Sequence, residues 1–557
     1  MKNTSNLNCK ISCTIIAVIL LFGMPFNMVY AQNTKNLSDY LKNLPFQMPE
    51  MTIPVFPDRS VNIREFGAVG DGQFLNTEVF AKAIEACTKQ GGGKVIVPPG
   101  IWLTGPIVLQ SNINLHLEKG ALILLSRNHK DFPIIHVPSS KNFMVTTPIF
   151  GANLENVAVT GEGIIDGSGD TWRQVKKAKT TEAQWKDLVA SGGVISSDGS
   201  MYWPTREAME GEEYLKKLRS LNKPLTETDY EPARDFLRPN LVQFQKCKNV
   251  LLDGPTFQNS PKFVLYPSQC ENVVIRNIKV LNEWWAQNGD GIDISACKNV
   301  LIYNCMVNAG DDGICMKSSR GQATDTVPNL QNIVISDCVV YHAHGGFVIG
   351  SNTDGGMRNI SVNNCNFIST DVGLRFKSSR GRGGVVENIY VSNIFMKGIA
   401  TQAILFDTYY ESTSETNSRQ FEVNEKTPRF RKFYISNIFC SGAAQAVKIT
   451  GLPEMPIQDI ELKDAVIEAD KGFTSLEAKN IRLTNVNIIP ASGVVYELKN
   501  SADFVLRNLA CPKNTELFMM LDGKSTSNIQ LIGTDVTWAK KAIEFGNDVD
   551  HSALIKR

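Results

Sequence analysis

Net charge is almost absent from this sequence. The 57 lysines and arginines stand against 56 aspartates and glutamates, a formal +1 over 557 residues. That balance excludes the broad basic field with which nucleic-acid binders hold phosphates. An acidic ligand would have to be met by a local basic patch. Long apolar runs are lacking too, with one exception at the start. Lys2 and Lys10 precede the apolar run 11–22, and Val29-Tyr30-Ala31 follows. A basic start, a short apolar stretch and a small residue describe a signal peptide, with cleavage expected after Ala31. The run is short for a membrane span and no comparable one follows, so the expected location is secreted or periplasmic, with no membrane span after signal removal. Cys13 lies inside the run and not after it, which argues against a lipid anchor. Cysteine is dilute: of twelve, two fall within the signal segment, and the remainder cannot staple a chain this long. Cys305 and Cys315 lack zinc-ligand spacing. No amphipathic helical period recurs along the chain as a repeat, which excludes a helical solenoid.

What is present is a repeated phrase. Cys247-Lys-Asn-Val-Leu-Leu, Cys270-Glu-Asn-Val-Val-Ile and Cys297-Lys-Asn-Val-Leu-Ile recur, followed by Gln331-Asn-Ile-Val-Ile, Arg358-Asn-Ile-Ser-Val and Glu387-Asn-Ile-Tyr-Val. The anchors Asn249, Asn272, Asn299, Asn332, Asn359 and Asn388 return every 23 to 33 residues. Each opens an alternating, β-branched run that reads as a strand. Short strands between Gly and Asn turns, at one such period, suit one coil of a right-handed parallel β-helix. Cys247, Cys270 and Cys297 precede their anchors by two residues. Ile278, Cys305, Cys338, Cys365 and Ile394 follow theirs by six. Equal phase means vertical neighbours in a solenoid, so these cysteines read as small apolar ladder residues in the interior.

Flanking segments differ. Residues 77–90 read as a helix with apolar Val79, Phe80, Ala83, Ile84 and Cys87, stopped by Gly91. Such a helix would cap the open end of the solenoid. Residues 170–237 are polar and helix-rich, an insertion between coils or a small lid. The expected division is a signal peptide at 1–31, an N-terminal extension at 32–60, a cap with the first coils at 61–130, and the β-helix at 131–557 with its insertion.

Four coils align on a glycine: Asn288-Gly-Asp290-Gly291, Gly310-Asp311-Asp312-Gly313, Ala343-His344-Gly345-Gly346 and Asp371-Val-Gly373-Leu-Arg375-Phe-Lys377. Stacking those glycines puts Asp290 and Asp312 in one column and Asp311 and His344 in the next. Leu374 and Phe376 then point inward, and Arg375 and Lys377 outward. With strands about 4.8 Å apart, three carboxylates, an imidazole and two cations share one patch. Asp-Gly and Asn-Gly alone are ordinary turn signals; the agreement across four coils is what marks a site. Crowded carboxylates repel and tend to raise at least one pKa, which keeps a proton donor available near neutral pH.

These motifs resemble those of the polygalacturonase family, glycoside hydrolase family 28, which degrades pectin. Its ordered pattern of Asn-x-Asp, Asp-Asp, Gly-His-Gly and Arg-x-Lys is similar to Asn288-Gly-Asp290, Asp311-Asp312, Ala343-His344-Gly345 and Arg375-Phe-Lys377. The resemblance implies an inverting, cofactor-free hydrolase of α-galacturonosidic bonds. Asp311 would be the general acid, Asp290 and Asp312 would hold and deprotonate the attacking water, and His344 would tune Asp311. Arg375 and Lys377 would bind the galacturonate carboxylate, with Asn288 and Tyr410 also at the substrate. Tyr409 stands beside Tyr410 as the other candidate tyrosine. Ala343 departs from the pattern, replacing its first glycine.

A monomer acting on pectic polysaccharide or oligogalacturonide is expected. Action from chain ends is expected if the insertion closes one end of the cleft. Three alternatives fit the same residues: a rhamnogalacturonan- or xylogalacturonan-directed hydrolase of that family, a calcium-dependent pectate lyase-like β-helix, and a non-catalytic glycan-binding β-helix.

Overall fold

The computed structural model describes residues 35–137, 142–221, 223–319, 328–411 and 419–557. The expected signal peptide and its cleavage after Ala31 lie outside them. A short helix, Leu37–Tyr40, belongs to a small N-terminal unit ending at Lys42; the second unit is Asn43–Arg557. Among the described residues no helix is long and apolar enough to cross a membrane.

The second unit is the expected parallel β-helix. The repeated phrase forms one continuous parallel stack: Glu155–Gly161, Lys248–Asp253, Glu271–Arg276, Lys298–Tyr303, Leu330–Ser336, Met357–Ile368 and Val385–Asp407. Its register places Val250, Val273, Val300, Ile333, Ile360 and Ile389 directly above one another, all fully buried. Each such side chain contributes about 1.5–3 kcal/mol by leaving water, so the column is a principal source of stability.

The anchor asparagines do two jobs at once. All six lie in the left-handed backbone region, with φ between 56° and 61°, where asparagine is among the few tolerated side chains. Each donates its amide N–H to the side-chain oxygen of the anchor one coil earlier, from Asn249 on Asn156 to Asn388 on Asn359, at 2.9–3.3 Å. The recurrence in the sequence is therefore a turn requirement and a hydrogen-bonded ladder together. Every described cysteine is a free thiol and all but Cys511 are buried. The thiols of Cys270 and Cys297 accept backbone N–H bonds from Cys247 and Cys270.

The helix Thr77–Lys89 buries Val79, Phe80, Ala83, Ile84 and Cys87, the face read from the sequence. Between the coil strands Ile164–Asp166 and Val242–Gln245 the chain leaves the solenoid. There it forms helices Glu182–Ala190, Arg206–Ser220 and Glu227–Tyr230. It also forms a three-stranded antiparallel sheet of Val175–Lys176, Met201–Trp203 and Val194–Ile195, which polar composition did not foreshadow.

Candidate active site

A second face of the solenoid carries the aligned glycines. Its strands Leu265–Ser268, Ile292–Ser295, Asp312–Lys317, Gly345–Ile349 and Leu374–Lys377 pair in parallel. Ile292 pairs with Ile314, Ile314 with Phe347 and Phe347 with Leu374. That register sets Asp290 beside Asp312 and Asp311 beside His344. Leu374 and Phe376 are fully buried. The glycines are sterically required: a Cβ on Gly313 would lie 2.5 Å from Val340, and one on Gly346 2.3 Å from Phe367. Oxygens of Asp290, Asp311 and Asp312 all lie within 4.8 Å of one another.

Arg375 and Lys377 are not solvated cations. Arg375 donates to Asp312 Oδ1 at 3.1 Å and Lys377 to Oδ2 at 2.8 Å. Burial by itself would raise the Asp312 pKa. Lys377, Arg375 and Lys317 outweigh it and hold the carboxyl below the usual carboxylate range. Tyr410 covers this cluster, its ring 4.8 Å from Lys377 Nζ and 5.6 Å from the Arg375 guanidinium. Tyr409 is buried and faces Arg380, so the structure brings Tyr410, and not its neighbour, to the cluster.

Asp290 sits in a different field. Its Oδ2 accepts from Lys317 at 3.0 Å, and Lys317 also lies 3.0 Å from Asp293. Burial first, then the Asp293 charge, raises the Asp290 pKa well above the ordinary value despite Lys317. Asp290 Oδ1 is buried and accepts no hydrogen bond from the described residues. Asn288, with φ +55°, receives Arg238 on its side-chain oxygen at 3.0 Å.

Asp311 is the most accessible of the three, its side chain 16% exposed against 4% for Asp290 and 3% for Asp312. His344 Nδ1 lies 3.0 Å from its Oδ1, and the Asp312 backbone N–H donates to the same oxygen at 3.0 Å. Burial pushes the Asp311 pKa up, but the His344 hydrogen bond leads the opposing contributions and the net direction is down. The repulsion expected to raise one carboxyl therefore falls on Asp290, which is deeper and meets Asp293, and not on Asp311.

Three functional-looking residues were missed. Lys317 shares a column with Lys377, since Met316 pairs with Ile349 and Ile349 with Phe376. Asp293 pairs with Cys315 in the Arg375 column. Both were detectable by carrying the alignment past the glycines, two positions to Asp293 and four to Lys317. Lys179 comes from the insertion, which has no phase relation to the coils, and its ammonium lies 2.8 Å from His344 Nε2.

Residues 234–487 match the profile of glycosyl hydrolases family 28. The crystal structure of a hyperthermoactive exopolygalacturonase from Thermotoga maritima is 32% identical, with a TM-score of 0.65 over 79% of this chain and 94% of that one. An exo-poly-α-D-galacturonosidase of Dickeya chrysanthemi is 29% identical over 409 residues, which is 70% of this chain and 64% of the Dickeya protein. An endo-polygalacturonase of Pectobacterium carotovorum subsp. carotovorum is 28% identical over 61% of this chain and 74% of its own. The chain belongs to glycosyl hydrolases family 28 and is a glycoside hydrolase.

Proposed function

We propose that this hydrolase cleaves α-galacturonosidic bonds of pectic polysaccharide with inversion, removing sugars from chain ends, outside the cell or in the periplasm. The observation that carries the reading is a carboxylate cluster joined to a cationic one, Asp290, Asp311 and Asp312 against Arg375, Lys377 and Tyr410. A glycosidic bond needs a proton donor and an activated water. A uronate needs fixed cations beside them.

Asp311 serves as the acid. His344 Nδ1 and the Asp312 backbone N–H both meet its Oδ1, leaving Oδ2 to carry the proton toward the glycosidic oxygen. Asp312 stays anionic between its two cations and draws the proton from water. Asp290 holds that water with Oδ1, the oxygen without a protein donor. The oxygens within 4.8 Å are closer than the roughly 6.5–9.5 Å usual between inverting carboxyls. Inversion is favoured because neither partner of Asp311 is free to attack carbon: Asp312 is held by Arg375 and Lys377, and Asp290 Oδ2 by Lys317. The same pairing opposes a calcium site, since protein cations already occupy the carboxylates that would bind the ion.

Exo action is supported by the likeness to the Thermotoga and Dickeya exo-enzymes and by the insertion. Lys179 reaches Gly310 O and His344, and Arg173 of the same segment pairs with Glu283 at 2.7 Å. The Lys179 contacts tie the insertion to residues that flank Asp311 in the chain or bond to it.

Time-resolved products from homogalacturonan and from rhamnogalacturonan fragments test the reading, with NMR of the first anomer released. Monomer or dimer as the sole early product, born as the β-anomer and insensitive to chelator, is expected. Random oligomers overturn exo action, an α-anomer overturns inversion, and unsaturated products lost with chelator establish a lyase.

A further inference from the structure

Lys179 has three ammonium protons and three acceptors around it: His344 Nε2 at 2.8 Å, Gly310 O at 2.8 Å and Trp284 O at 3.3 Å. Its Nζ lies 4.8 Å from the centre of the Trp284 ring. The Trp284 indole N–H returns a bond to Lys179 O at 3.0 Å. The two residues clamp each other, and the clamp fixes where the ammonium points.

An ammonium can only donate. A nitrogen that receives its proton must offer a lone pair, so His344 Nε2 is unprotonated and the neutral ring carries its hydrogen on Nδ1. Nδ1–H then donates to Asp311 Oδ1, 3.0 Å away. The other groups facing this chain are consistent with that order. Asp371 is 3.7 Å from Nε2, too far to compete as a hydrogen-bond partner. Burial is the largest influence on the Lys179 pKa and the net direction is down, with Lys176 adding to it and Asp311 and Asp371 opposing it. Around Asp311 itself stand His344, Asp312 and Lys377.

We propose that Lys179 is a positioning residue, contributed by the insertion, that locks His344 in its Nδ1–H tautomer and so aims that donor at Asp311 Oδ1. The proposal rests on the reading of Asp311 as the general acid. When protonated Asp311 gives its Oδ2 proton to the leaving oxygen, negative charge grows on a carboxylate already met by Nδ1–H. No new proton has to move to receive it. Without Lys179 the imidazole is free to take the Nε2–H form, and its bare Nδ1 lone pair would then oppose the nascent carboxylate. The insertion thereby becomes part of the catalytic machinery.

The test compares the wild-type enzyme with Lys179→Met, Lys179→Arg and Trp284→Phe on an oligogalacturonide. Two readouts are used, steady-state kinetics and the ¹⁵N resonances of His344 in histidine-labelled protein. Lys179→Met is expected to mix the two tautomers and lower kcat about 10- to 100-fold, the scale of a misaligned catalytic group, with KM changed much less. Lys179→Arg, another pure donor, is expected to restore Nδ1–H and most of kcat. Trp284→Phe loosens the clamp but keeps the ammonium, and is expected to retain the tautomer. If Lys179→Met does not fold, Lys179→Gln replaces it, since an amide can donate or accept and gives the same mixed signature. An unchanged His344 tautomer in the folded variant, or a loss confined to KM, overturns the proposal. Retained turnover in Asp311→Asn would instead overturn the assignment of the acid on which it rests.

Discussion

Lys377 Nζ lies 2.8 Å from Asp312 Oδ2, and both side chains are buried. With Arg375 on the other oxygen, Asp312 is held charged in a place where burial alone would protonate it. Lys377→Met removes one of two cations from a buried carboxylate. The expected cost is about 3 kcal/mol, the low end for breaking a buried pair because Arg375 remains. Urea unfolding measures this, and kcat/KM on oligogalacturonides is expected to fall well over tenfold. A stable, active variant would mean that Asp312 does not depend on its cations.

Asp311→Asn separates catalysis from binding. General acid contributions run to about 10²–10⁴-fold, and kcat is expected to fall about 10³-fold while calorimetry still detects oligogalacturonide binding. A variant within tenfold of wild type would exclude Asp311 as the proton donor.

The pH profile should split between free and bound enzyme. The acid must be protonated, so activity is lost as pH rises through the Asp311 pKa. In the free enzyme His344 holds that pKa low, which places the alkaline limb of kcat/KM in the acid range. A bound uronate adds negative charge and excludes water, both favouring the neutral carboxyl. The limb of kcat is therefore expected at higher pH than that of kcat/KM. Coincident limbs would show that substrate does not retune Asp311.

Asn299 tests the ladder. Its φ is +56°, it donates to Asn272 and it receives from Asn332. Asn299→Ala is expected to destabilise by about 2–3 kcal/mol, combining the left-handed backbone cost with lost hydrogen bonds. Asn299→Gly is expected to recover about 1 kcal/mol, because glycine removes the backbone term but not the ladder term. Denaturant midpoints of the two variants compare them, and equal losses would assign the whole effect to the hydrogen bonds.

The solenoid was legible because its physics is periodic. Asn249, Asn272 and Asn299 each need a left-handed turn once per coil, Val250, Val273 and Val300 each need an interior, and equal phase converts directly into vertical contact. The same phase placed Asp290 with Asp312 and Asp311 with His344, and it would have placed Lys317 and Asp293 as well. Which carboxyl has its pKa pushed up was not legible. That depends on burial and on distances to Asp293, Lys317, Arg375 and Lys377, and the upward shift fell to Asp290. Lys179 was beyond reach for a different reason. It lies 165 residues from His344, in a segment that follows no coil, and only the folding of that insertion carries its ammonium to the imidazole. Repetition determines position along the axis; what arrives from outside the repeat is decided by tertiary packing.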